Sequence, residues 1–451
     1  MIVLAAGLAI AFGVWVIALG PAWMRRTADA GGHWALAGII YLAGPINVLI
    51  QLTYPNGADP QGLGLLLARA NTVASWSLGA VALVSALRQP RRGRTALTAA
   101  LLFFYACLVL SSAFGYQPEP PKEEYFITPL LVVPFVLHGG YRWSWLADVL
   151  RKALRAIVIF SLASVLLLPS VAYDQECCRE IFGIERVQGV TGHPNTLAIL
   201  ACFLVILELR GGRLLWTLPP LLAMLLAQST TGWVALTLGL LVLAGRLGST
   251  TRIAAFALAL GGLVLAASDP NVVNDFLPPD FWTFTGRTTI WQAALHGFFL
   301  SPVFGYGPNL LDDQYRSVYL GSFDAAAQAH NQFVQTLGST GIVGGASLVA
   351  LLVAVYATSV RAAGRTGGLS LALALALSAR LLSEIPLTPQ GSTATLLLVV
   401  AVVGIAAAGA PEPPPRGRGA VPVRGPMRRP GATPLVVPTG GAVGVRTRAA
   451  R

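Results

Sequence analysis

Charge is what this sequence has least of. Asp, Glu, Lys and Arg make up 11% of its 451 residues, against 55% hydrophobic ones; a soluble domain carries roughly a quarter charged residues. The shortage excludes an ordinary water-soluble enzyme and points to long stretches that avoid water. Cysteine is scarce too, with four in the chain. Cys107 and Cys202 fall in apolar runs and read as small core residues. Cys177 and Cys178 are adjacent and lack metal-ligand spacing; they could pair with each other only as a strained vicinal disulfide. Several catalytic signatures are missing. No Walker A loop is present, which argues against direct ATP hydrolysis, and there is neither a His-Glu-x-x-His zinc pair nor a Gly-x-Ser-x-Gly elbow. The lack of an Asp-x-Asp pair disfavours a metal-held nucleotide-sugar donor. No basic stretch precedes the first apolar run, and Arg25 and Arg26 follow it. That run therefore reads as a retained span with its N-terminus outside rather than a cleaved leader.

What is there is a succession of apolar runs. They lie near 2–20, 33–52, 62–87, 95–115, 126–138, 154–171, 192–209, 214–229, 231–245, 252–267, 337–358, 368–384 and 393–409. Most approach the roughly 20 residues that cross a hydrocarbon core. Lipid offers the backbone no hydrogen-bond partner, so helices are the sensible form for them. The expected fold is all-α: a polytopic transmembrane helix bundle over 1–409 with about 12–13 spans. The short run at 126–138 reads either as a crossing or as a half-span. The net charge of +12 does not signal nucleic acid, because the basic residues sit in alternate short loops. Arg25 and Arg26, Arg88 to Arg94, Arg142 to Arg155, Arg210 to Arg213, Arg246 to Arg252, Arg361 to Arg365 and the tail carry most of them. The intervening loops hold most of the acidic residues, which is the positive-inside pattern of a multi-pass plasma-membrane protein.

Three stretches fall outside the spans. One is a loop from Ala172 to about Gly192. The tail, 410–451, is rich in Pro, Gly and Arg; it is expected to be disordered, cytoplasmic and close to anionic lipid. The third is a long extracytoplasmic loop, 268–336, within the bundle. Thr288 to Leu300 reads as a short helix at the membrane surface. Ser301 and Pro302 end it, Gly305 to Pro308 turn the chain, and a second short helix is expected from Asn309 to Leu320. Connections longer than about 15 residues are usually functional.

Candidate residues gather at the outer ends of these segments. Arg186, His193 and Asn195 lead into one span, Arg287 and Trp291 open the long loop's helix, and His330 and Asn331 close that loop. Arginine forks onto phosphate oxygens, and histidine takes a proton from a hydroxyl near neutral pH. Plainer readings stand beside these. An interfacial arginine also serves as a snorkelling anchor. His193 with Asn195 also suits a helix cap, and His330 an interfacial position. His296 reads as a face residue of the short helix, and Gly338, Gly341, Gly344 and Gly345 as aids to close helix packing. Two arginines fall within spans, where charge is costly and tends to line a cavity or pair. Arg380 stands one turn before Glu384 and is spaced to pair with it. Arg69 has no obvious local partner, which makes it a candidate for an anionic head group.

Four segments, in order, resemble the O-antigen ligase/polymerase family of polyprenyl-linked glycan transferases. The first holds Arg186, Gly189, His193, Pro194 and Asn195. The second is the Gln228 to Gly232 turn. The third runs through Gly286, Arg287, Trp291, Pro302, Gly305 and Gly307. The fourth is Ala329, His330 and Asn331 with Gly338 and Gly341. The resemblance covers roughly 180 to 345, and it departs from the family pattern at Thr231, where many members carry Arg. It implies a transferase that takes an undecaprenyl-diphosphate-linked glycan at the outer leaflet. Arg186 and Arg287 would hold the diphosphate, and His330 would deprotonate an acceptor hydroxyl. Arg69, His193, Asn195, Asn331, Trp291 and Arg380 would help bind substrate, with no metal, nucleotide or other cofactor. The acceptor would be another glycan or a lipid anchor; membrane lipid and envelope-polysaccharide assembly proteins are the expected surroundings. A transporter or flippase of lipid-linked glycans is the alternative. It calls for inverted repeats and broken helices with polar groups at mid-membrane, whereas no repeat stands out here and the polar residues favour one face. A third reading, a structural envelope subunit, would leave the outer Arg and His residues replaceable.

Overall fold

The computed structural model describes residues 30–53, 61–88, 95–138, 140–173, 185–245, 287–320, 327–388 and 396–408. These described residues are helical throughout and contain no strand, only one isolated bridge between Tyr173 and Val187. They all lie in one compact unit, Met1–Pro411. The spans expected at 2–20 and 252–267, the Cys177–Cys178 pair, Gly286 and the 410–451 tail lie outside the described residues.

The helices are α1 (Ala30–Tyr41), α2 (Gly62–Arg88), α3 (Thr95–Phe114), α4 (Glu124–Leu137), α5 (Trp143–Leu167), α6 (Pro194–Arg210), α7 (Leu218–Ala227), α8 (Thr230–Ala244), α9 (Arg287–Leu300), α10 (Asp313–Tyr319), α11 (Gln332–Thr366), α12 (Leu369–Ser383) and α13 (Leu396–Ala407). After α1 the chain passes through a π-helical turn, Leu42–Ile46, where Pro45 withholds a donor, and continues as Asn47–Gln51. Among the described residues, four stretches are long and apolar enough to cross a membrane: Gly32–Gln51, Leu63–Arg88, Thr95–Phe114 and Gln332–Thr366. Shorter apolar helices complete an all-α membrane bundle.

Burial follows composition. In α6 every residue from Thr196 to Leu209 is buried, Glu208 among them, and all of the uniformly apolar α13 is buried as well, so these two helices form the centre. The core they share includes Leu146 and Leu150 of α5, Leu373 of α12 and Leu398 of α13. On α2 and α11, by contrast, Leu66, Val73, Val84, Ile342, Val353 and Val360 are exposed. Apolar residues on these outward faces are what contact with lipid tails requires.

Local chemistry sets the helix ends at the site. His193 caps α6, its Nδ1 accepting from the Asn195 N–H at 3.2 Å, with Pro194 at the first turn. Ser229 caps α8, and Asn331 caps α11 by accepting from the N–H groups of Phe333 and Val334. Gly341 lies inside α11 with φ +64° and breaks its path. A Cβ there would collide with the Val303 backbone, so glycine admits the 303–305 segment against the helix. Gly341 thus allows a close approach and also kinks the helix. The second loop helix is shorter than expected. It starts at Asp313, because the Asp312 carboxylate accepts from the Tyr315 N–H at 2.7 Å and fixes the cap there.

Candidate active site

The site forms where α6, α11 and α12 end together and the long loop folds over them. Its hub is Glu384, the residue that follows α12. Glu384 is buried, and four side chains reach it. His330 Nδ1 lies 3.1 Å from Oε2. Asn195 Nδ2 donates to Oε1 at 3.2 Å, and Gln328 Nε2 donates to Oε2 at 3.3 Å. Arg380, one helical turn earlier, pairs with Oε1 at 3.7 Å. Burial by itself would raise the carboxyl's pKa. The charge of Arg380, then the hydrogen bond and charge of His330 and the charge of His193, outweigh it and hold Glu384 well below the usual carboxylate range. Glu384 is therefore an anion, and its contact with Nδ1 favours the tautomer with the proton on Nδ1 and a basic Nε2.

His330 is presented by strained backbone. Its φ of +48° lies in the left-handed region that a residue with a Cβ seldom adopts. The neighbours enforce it. The Ala329 N–H donates to Gln335 Oε1 at 2.8 Å, and the Ala329 carbonyl accepts from Trp291 Nε1 at 2.8 Å. On the other side, Asn331 caps α11 and donates from Nδ2 to the Leu382 carbonyl at 3.3 Å. Trp291 and Asn331, expected to bind substrate, are thus placed as the clamps on either side of His330. A left-handed residue held so firmly next to an ionised partner is the kind of strain that collects at functional positions.

The two arginines expected to hold phosphate flank this hub, each one residue removed from Glu384. Arg186 Nη2 donates to Asn195 Oδ1 at 3.3 Å, and its Nε to the Ala227 carbonyl at 3.3 Å. Arg186 therefore lies beside the 228–231 turn, where Thr231 departs from the family pattern. Arg287 Nη1 donates to the Ser383 carbonyl at 3.2 Å. His193, besides capping α6, faces the same cavity as Glu384 and Arg380. Burial lowers its pKa, only partly countered by Glu384, while Arg380, Arg186 and His330 lower it further; it is a neutral imidazole at physiological pH.

Arg69 is not brought to this cluster. It is exposed on α2, which packs mainly on α1 and α4. Of the two arginines within apolar runs, the structure places Arg380 at the site. His296, read as a face residue, rests its ring 4.8 Å from that of Tyr319. The sequence reading pairs Glu384 only with Arg380. It leaves out Gln328 and gives no sign that Glu384 meets His330, 54 residues earlier in the chain.

The cluster opens into a cavity of about 790 Å3, walled by the ends of α6 and α12, the segment from Pro308 to Arg316, and Lys122. The loop that carries Lys122 is tied to the long loop by backbone hydrogen bonds, Tyr116 N–H to the Gly305 carbonyl at 3.0 Å and Gln117 N–H to the Tyr306 carbonyl at 2.8 Å.

A polytopic helical membrane protein with an ionised, arginine-flanked histidine site at the converging ends of its helices is the class these features define. Residues 214–349, from just before α7 to the first half of α11, match the family model described as O-antigen ligase. The match bears out the resemblance read from the motifs, three of which lie within it, and supports an O-antigen ligase- or polymerase-like function in general. No curated protein matches the chain.

Proposed function

We propose that this protein is a glycosyltransferase of the bacterial plasma membrane. It moves a glycan from an undecaprenyl-diphosphate donor to an acceptor hydroxyl at the outer face, in the synthesis of a surface polysaccharide. The observation that carries this reading is His330: strained, clamped, and hydrogen-bonded through Nδ1 to a buried carboxylate, with Arg186 and Arg287 each one residue away from that carboxylate. His330 Nε2 takes the proton of the acceptor hydroxyl. The acceptor oxygen forms its bond to the anomeric carbon as the bond from that carbon to the diphosphate oxygen breaks, in one displacement with inversion. The electron pair leaves on the diphosphate, whose charge Arg186 and Arg287 stabilise. Glu384 stays ionised and stabilises the imidazolium as it forms, as the carboxylate of a hydrolytic triad does. The proton bookkeeping needs no metal and no nucleotide.

The test is a reconstituted assay with purified protein and labelled undecaprenyl-diphosphate oligosaccharide, in chelator and without nucleotide. A ladder of lengthening products identifies a polymerase. Donor that stays intact until a separate acceptor is added identifies a ligase. No transfer with a broad set of donors and acceptors counts against the proposal and favours transport.

A further inference from the structure

The cavity beside Glu384 is larger than a proton transfer requires; at about 790 Å3 it falls in the range of ligand sites, roughly 300–1,000 Å3. Its lining is of two kinds. Glu384, Asp312 and Asp313 present carboxylates, and Gln328, Lys122 and Arg316 present N–H donors. Between them Pro308, Leu311, Ile385 and Pro386 present apolar surface. Adding Arg380, the ionised groups comprise three carboxylates and three cations, so the wall carries no net charge. Arg186 and Arg287 are not part of it.

Arg380 supplies a second, independent observation. It is 3% exposed, and among the described residues its Nε and Nη1 have no hydrogen-bond partner. Nη1 is 3.7 Å from Glu384 Oε1, an ion pair beyond hydrogen-bond reach, and Nη2 is 3.5 Å from Thr196 Oγ1. Buried donors are almost always matched by an acceptor. Here a guanidinium on the cavity wall has two donors left over, so an acceptor atom belongs in the cavity.

We propose that this cavity is the acceptor subsite of the transferase, that it takes a hydroxylated sugar of about two rings, and that Arg380 determines specificity by donating to a ring substituent. The proposal rests on the transferase reading above. A pyranose has hydroxyl edges that both donate and accept, and C–H faces that are apolar. Mixed carboxylates and N–H donors around apolar patches match both. A diphosphate would instead face three carboxylates. His330 itself is not on the cavity wall, but the cavity is bounded by Glu384, whose Oε2 lies 3.1 Å from His330 Nδ1, so a sugar seated there is one residue away from the base. The donor diphosphate is left to the arginines outside the cavity.

The experiment blocks the cavity from its exposed wall. Gln314 lines it on α10 and is exposed. A Gln314→Cys variant, in a Cys177→Ser, Cys178→Ser background, is labelled with a bulky maleimide. Two quantities are measured before and after labelling: binding of undecaprenyl diphosphate itself in nanodiscs, and glycan transfer from the lipid-linked donor. The expected result is at least a tenfold loss of transfer, with the Kd for undecaprenyl diphosphate unchanged within about twofold. Loss of undecaprenyl diphosphate binding would place the donor head in the cavity and overturn the proposal. Unchanged transfer would overturn it too, by showing that no substrate enters there. If the unlabelled protein neither transfers glycan nor binds undecaprenyl diphosphate, the transferase reading itself fails, and this control tells that failure apart from the other two. As a second arm, Arg380→Lys is expected to raise the acceptor KM about tenfold with the donor KM unchanged; a change confined to the donor KM would overturn the assignment.

Discussion

Two buried Arg–Glu pairs sit at the two ends of α6, and they are built to different ends. Arg155 meets Glu208 with two hydrogen bonds, of 2.6 and 2.8 Å, and its guanidinium lies 4.1 Å over the Trp216 ring. Both carboxylate oxygens and the flat face of the arginine are used up. Arg380 meets Glu384 at a single 3.7 Å approach, and Glu384 divides itself among His330, Asn195 and Gln328. No cavity residue touches the first pair, whereas both members of the second line one. Thr196, which Arg380 reaches, and Glu208 lie 12 residues apart on α6, roughly 18 Å of helix. The contrast teaches how to tell a structural charge from a working one. A structural pair closes on itself; a pair with donors to spare, next to empty space, is waiting for something else.

Several measurements sharpen or break that contrast. The largest effect is expected at His330. His330→Ala should lower transfer by about 10³-fold at normal protein levels, since a general base contributes on the order of 10²–10⁴. Comparable turnover in that variant would remove the base from the mechanism. Next come the two glutamates, assayed as activity per folded molecule. Glu384→Gln should cost about 10²-fold in kcat, because the neutral amide no longer stabilises an imidazolium. Glu208→Gln should leave turnover of the folded fraction intact while destabilising the protein by roughly 3–5 kcal/mol, the cost of stranding a buried charge. If both variants behave alike, the distinction between the pairs collapses.

Arg287→Lys should raise the donor KM about tenfold, because a point charge replaces a forked donor; an unchanged donor KM would detach Arg287 from the diphosphate. Stability against pH gives a subtler reading. The folded-state pKa of Glu384 is lowered, so its stabilising contribution is complete above the ordinary carboxylate value, about 4.3, and is lost as pH falls through the lowered one. The wild-type Tm should therefore fall more steeply on acidification than that of Glu384→Gln. Parallel curves would show that the carboxylate's charge is not what the fold relies on. The smallest effect belongs to Arg69→Ala. An exposed arginine on a helix that packs away from the site should change transfer by less than about twofold, by the yardstick for surface substitutions.

Much of this was legible without coordinates. The scarcity of charge and the apolar runs dictate a helical membrane bundle, because lipid leaves the backbone no other partner. Three of the four motif segments lie in the part that matches the O-antigen ligase model, and the i,i+4 spacing of Arg380 and Glu384 announces their pairing. A helix cap at His193 was open to reading, because its side chain can accept a hydrogen bond beside free N–H groups; the cap at Asn331 came only from the structure. Tertiary structure alone decided the rest. Arg69 and Arg380 are both cations in apolar runs, and spacing gives only Arg380 a partner; packing alone shows that Arg69 is exposed and that Arg380 lines a cavity. Glu384 and His330 meet because α12 and the loop before α11 end at the same level, a long-range closure with no local periodicity to betray it. That Trp291 and Asn331 hold the backbone on either side of His330 is likewise visible only in the fold, where their polar atoms meet the Ala329 and Leu382 carbonyls and the first N–H groups of α11. Composition and spacing determined what kind of protein this is and which residues could do chemistry; the convergence of helix ends decided which of them share one carboxylate.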